Sequence, residues 1–163
     1  MSFGQFIALA SFLLSAGVIA VTYWVGVAQE TVNICVPFIH GCTDITYTGL
    51  KGDAGFIFRG GLVSGCVFIL VWWHCMRVWL QPSIQSRASR INLNLMTFFG
   101  MLAAVGLIWG TAVLAPTKEQ VLWGPHIRGA NTFFEAILLA ISFNFYLIWR
   151  GRKDGLLEVP SFK

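Results

Sequence analysis

The sequence predicts an all-α integral membrane protein: a bundle of four transmembrane helices forming a single membrane domain over residues 1–163. Three observations predict it. Hydrophobic residues make up 56% of the chain and charged residues 11%, against roughly 45–50% and about 25% in soluble domains. Mean hydropathy is +0.72. The apolar residues also fall into four continuous runs, each near the ~20 residues a helix needs to cross a hydrocarbon core of about 30 Å. The runs do not alternate at every second residue, which argues against barrel strands. This composition excludes a soluble globular enzyme and a disordered tail. It also excludes a nucleic-acid module. Although the pI is about 9.1, the 11 Lys and Arg residues are scattered among apolar runs and are not gathered on one exposed face.

The first span, residues 6–28, carries no charge. It lacks the basic start and small-residue cleavage site of a secretory signal, so it reads as a retained span. The second, residues 56–80, is interrupted only by Arg59 near one end and His74 and Arg77 near the other. Pro82 with Ser83, Ser86 and Ser89 marks a polar turn into the third span, residues 91–115, which is uncharged. Pro116 ends that span, and Gly124-Pro125 opens the turn into the fourth, residues 129–149, whose one ionised residue is Glu135. Orientation follows from the short loops. Arg77 at the end of span two and Arg87 and Arg90 in the loop to span three are met by no acid, and Arg150, Arg152, Lys153 and Lys163 crowd the tail. Both termini are therefore expected in the cytoplasm, with the plasma membrane as the expected location. Most of the tryptophans fall near span ends, where indole rings favour the headgroup region.

Lipid removes the hydrophobic drive between helices, so close approach at small residues takes its place. Gly61 and Gly65 in span two, and Gly106 and Gly110 in span three, have that spacing, as do Ser11 and Ser15 in span one. They read as packing surfaces within the bundle or as an oligomer face.

Cys35 and Cys42 sit in the first outer loop, on the side where disulfides persist. A disulfide between them is one reading; a metal site with His40 and His126 is the other. Cys66 and Cys75 read as packing residues. The three histidines do not place two imidazoles at one depth inside the membrane, so no haem or other cofactor is expected. Glu135 sits about two turns into span four, where an unpaired carboxylate is costly. Arg59 lies at a similar depth, and Arg128 precedes Glu135 by seven residues on the same helix face. A structural ion pair or polar cluster of Arg59, Arg128, Glu135 and His126 follows, with a proton or ion pathway as the alternative. No second intramembrane acid stands ready to relay a proton. Neither a nucleophile elbow, a Gly-rich phosphate loop nor a paired-carboxylate site appears, so no enzymatic activity is expected.

Asp44-Ile45-Thr46-Tyr47-Thr48-Gly49 and His126-Ile127-Arg128-Gly129-Ala130, the latter followed by Phe133-Phe134, resemble the loop and span-four motifs of the DRAM/Frag/Sfk-like multi-pass membrane proteins over about residues 30–150. The outer-loop cysteine pair, with Arg59 just inside span two, is similar to the claudin-like tetraspan group. Both resemblances imply non-catalytic proteins that organise or regulate other membrane components. The function expected is that of a non-enzymatic accessory or regulatory subunit, whose partners are other membrane protein subunits and lipids and not nucleic acid. The alternative is a lipid- or small-molecule-handling protein using the polar cluster near the outer interface.

Overall fold

The computed structural model describes residues 3–36, 39, 41, 43–114 and 123–157. Among these the chain is helical and contains no strand. Four helices are long and apolar enough to cross a membrane: α1 (Phe3–Ala28), α3 (Gly52–Leu80), α4 (Arg87–Ala112) and α5 (Trp123–Lys153). A one-turn helix, α2 (Ile45–Thr48), precedes α3, and a 3-10 turn at Gln81–Ser83 follows it. The end of the bundle that carries α2 is termed outer, after the arginine distribution.

The helices start earlier than the apolar runs do. α3 begins at Gly52, not Phe56, α4 at Arg87, not Ile91, and α5 at Trp123, not Gly129. Hydropathy marks the hydrocarbon boundary, whereas the hydrogen-bonded helix continues through the headgroup region until a cap stops it. Ser86 provides one such cap, its Oγ accepting the Ser89 N–H at 3.0 Å. Pro125 lies in the first turn of α5, where a missing N–H costs nothing. At the other end of α5, Gly155 takes φ of +68°. The chain then folds back so that Leu156 and Leu157 donate to the Gly151 carbonyl.

The spans pack in chain order, α1 against α3, α3 against α4, and α4 most extensively against α5. At the inner end Trp73, Met76 and Leu80 of α3 meet Leu93 and Met96 of α4 and Ala140 and Leu147 of α5 in one buried cluster. The Trp73 ring lies against Gly100, where any Cβ would fall 2.3 Å from the indole. At the outer end Phe58 and Leu62 of α3 pack with Leu50 and Leu114, backed by Val18 and Ile19 of α1.

The glycines stand at the seams. A Cβ on Gly61 would fall 2.3 Å from the Val18 side chain of α1, and one on Gly65 would fall 3.1 Å from Ser15 Oγ. Across the other seam, Gly106 and Gly110 lie against the backbone of α5 at Gly129, Ala130 and Phe133. A Cβ on Gly129 would be 2.4 Å from the Gly110 nitrogen. Backbone thus meets backbone between α4 and α5.

Candidate functional site

The polar residues of the outer end gather around the C-terminus of α4. A helix leaves its last carbonyls without intrahelical partners and carries a partial negative charge there. Two side chains from two other helices donate here, His126 to a last-turn carbonyl of α4 and Arg59 to the carbonyl just past its cap. Arg59, half-buried in α3, donates from Nη1 to the Leu114 carbonyl at 2.7 Å. Its guanidinium also stands 5.3 Å from the centre of the Phe56 ring. Gly55, one turn earlier, is pressed against the chain before α3, where a Cβ would lie 3.1 Å from the Gly49 carbonyl oxygen.

His126, in the first turns of α5, places Nδ1 2.8 Å from the Gly110 carbonyl. A carbonyl only accepts, so Nδ1 carries the hydrogen. In the neutral ring Nε2 is then the acceptor, and the Thr46 hydroxyl, 3.4 Å away, is its donor. Thr46 belongs to α2, whose single turn is held by Asp44: the carboxylate accepts the Tyr47 N–H at 2.6 Å. Gly49 closes that turn, and the Phe58 ring occupies the space a Cβ would need, 2.3 Å away. The Asp44–Gly49 segment is therefore a small capped platform that carries Thr46 to His126.

α1 is tied into the same end by two side chains. The Tyr23 hydroxyl donates to the Cys35 carbonyl at 2.6 Å and accepts from the Cys35 N–H at 2.9 Å. Gln29 donates to the Asp53 carboxylate at 2.8 Å and accepts the Asp53 N–H at 3.2 Å, closing the first turn of α3.

Glu135 is not in this cluster. It is exposed on the outward face of α5, as is Arg128, and the one ion pair among the described residues joins Arg150 to Asp154 at the inner end. The pairing of Glu135 with Arg59 or Arg128 expected from the sequence is not made. Arg59 has found a helix-end carbonyl, and Gly129, Ala136 and Ala140 take the inward face of α5. Those small residues were the signal for that face. Thr46 falls within the Asp44–Gly49 motif, but Tyr23, Gln29 and the Leu114 carbonyl carried no signal that marked them in advance.

Of the cysteines, Cys66 and Cys75 are free thiols in α3, and Cys35 is disulfide-bonded. Its expected partner Cys42, together with His40, lies outside the described residues, and so does Pro116. Among the described residues no three metal-ligating side chains gather. The cluster as a whole offers backbone-directed donors. It holds helix ends together, through Arg59, His126 and Thr46. No family model, curated protein or solved structure matches the chain.

Proposed function

We propose that the chain is a non-enzymatic accessory subunit that stabilises or regulates a larger complex in the cytoplasmic membrane, with Cys35 and Cys42 joined across its outer loop. One observation carries the reading: the protein encloses little and displays much. The most apolar windows of α1 and α5 are only 11% and 17% buried. Large side chains such as Phe6, Phe12 and Phe145 stand outward, and Arg59 and His126 are spent on backbone carbonyls at the outer end of α4. Helices so exposed offer area to neighbouring spans. The likeness of residues 44–49 and 126–134 to multi-pass organising proteins supports the same reading. In mild detergent the endogenous protein should migrate in a native band of fixed stoichiometry with other membrane chains, identified by mass spectrometry. Migration alone would overturn the proposal.

A second reading is favoured by a groove of about 700 Å³ between the inner ends of α1 and α3, lined by Phe3, Ala8, Trp72, Met76 and Trp79. That volume suits an acyl chain or a small apolar molecule. A protein working in this way would purify alone with lipid retained, and Ala8→Trp, which fills the groove, would release it.

A further inference from the structure

The outward face of α5 carries polar residues among its apolar ones: Arg128, Asn131, Glu135 and Ser142 stand exposed beside Phe134, Leu138 and Phe145, while Gly129, Ala136, Ala140 and Leu147 face inward. An ionisable residue inside a membrane ordinarily faces protein or water. Depth sharpens the point. Trp149 marks the inner interface, and Glu135 precedes it by fourteen residues. At 1.5 Å per residue that is about 21 Å, leaving Glu135 about 9 Å inside the outer edge of a core of about 30 Å. Its flanking neighbours Phe134 and Leu138 are 61% and 64% exposed, so nothing described in this chain shields the carboxylate.

We infer that this face of α5 is a docking surface for a transmembrane helix of a different protein, one that presents a Lys or Arg side chain to Glu135 in the outer leaflet. The inference rests on the accessory-subunit reading and names the surface it uses. Charge complementarity selects the partner. Copies of one chain in one membrane share their depth, so a symmetric α5–α5 contact would set Glu135 against Glu135. Arg128 does not relieve this, because it lies seven residues, or about 10 Å, higher in every copy. Arg59 is already held by the Leu114 carbonyl. Among the described residues no other cation lies in the outer half of a span, so a second copy has nothing to offer Glu135. Below it, Leu138 and Phe145 on the same face supply the apolar part of the contact, with Phe145 75% exposed.

The test is site-specific photocross-linking in the native membrane. Benzoylphenylalanine replaces Leu138 on α5 or, in a separate variant, Phe12 on α1, and the linked peptide is sequenced by mass spectrometry. The expected product at Leu138 joins a membrane-spanning segment of another chain that contains Lys or Arg. E135Q should lower its yield about tenfold or more, since an uncompensated partner charge is left behind, and E135D should retain it. Thermal unfolding of purified E135Q should match the wild type, which separates lost docking from lost folding; should E135Q prove unstable, E135D against E135N gives the same contrast. A product with a second copy or with lipid alone, or a yield that E135Q leaves unchanged, overturns the inference. A fixed-stoichiometry native band whose cross-links pass through Phe12 and not Leu138 overturns it too, yet leaves the accessory reading standing. A chain that migrates alone overturns both.

Discussion

Along the α4–α5 seam a side chain added at Gly129 would run into backbone, 2.4 Å from the Gly110 nitrogen and 2.6 Å from its Cα. Along the α1–α3 seam the equivalent addition at Gly61 meets a side chain, Val18, at 2.3 Å, and Gly65 meets only a serine hydroxyl at 3.1 Å. Both seams use small residues at a four-residue spacing, yet they differ in what gives way. Backbone against backbone leaves no rotamer to turn, so the helices themselves must part. A side-chain neighbour is able to rotate or shift. The α4–α5 pair is therefore the rigid half of the molecule, and α1 leans on it through α3, to which Gln29 also ties it. Exposure divides the helices differently: the most apolar windows of the two middle spans, α3 and α4, are 33% and 39% buried, and those of α1 and α5 only 11% and 17%.

The strongest way to break this comparison is Gly129→Leu. Separating α4 from α5 should cost at least the upper part of the roughly 1–3 kcal/mol seen for overpacked cores, and it should also pull His126 from the Gly110 carbonyl. Reversible unfolding in detergent, followed by circular dichroism, is the measurement. Gly17→Leu on α1, where a Cβ meets nothing within 4 Å, is the matched control and should leave the midpoint in place. Equal losses in the two variants would show that the two halves do not differ in rigidity.

Next in size is Arg59→Leu. It removes the donor from the Leu114 carbonyl while keeping an apolar stem, and a buried acceptor left unmet costs about 1–3 kcal/mol. Leu114 is fully buried, so water does not easily replace the guanidinium. Arg59→Lys should recover part of the loss, because an ammonium still donates to a carbonyl and still favours the negative end of the α4 dipole.

The contrast between Arg59 and Glu135 also shows how far the sequence is legible. The four spans announce themselves because hydrocarbon demands long uninterrupted apolar runs, and the glycine seams because close backbone approach demands small residues at fixed spacing. Helix ends are harder to read: hydropathy is silent about Ser86, Gln29 or Gly155, which act outside the apolar runs. The polar cluster is harder still. Charges in a sequence invite pairing with opposite charges, but a helix C-terminus is an acceptor that no residue type advertises. Arg59 and His126 both went to such carbonyls, at Leu114 and Gly110. Glu135 was legible in depth but not in direction, since a one-residue difference in helical phase decides whether a side chain faces a neighbour or the lipid.

A smaller effect is expected at the hinge of the looser half. Tyr23→Phe deletes one hydroxyl that bridges both backbone groups of Cys35 and leaves the ring in place against Trp24. Two hydrogen bonds at about 0.5–1.5 kcal/mol each are lost, partly offset because the half-buried Cys35 backbone regains contact with water. The midpoint should fall slightly, while amide exchange at Cys35 should accelerate clearly. Unchanged exchange would mean that the outer loop is held by something other than α1.

Smallest of all, in the isolated protein, should be Glu135→Gln. The side chain is exposed on the outward face of α5 and makes no ion pair among the described residues, so its replacement belongs with surface changes that shift stability by no more than about 0.5 kcal/mol. The inner and outer faces of α5 then behave as opposites. Gly129, facing inward, tolerates nothing, and Glu135, facing outward, is indifferent until a partner helix is present. The measurement is the same detergent unfolding curve, run beside Gly129→Leu. A loss at Glu135→Gln comparable to that at Arg59→Leu would place the carboxylate inside the bundle and restore an internal pairing in place of the outward one.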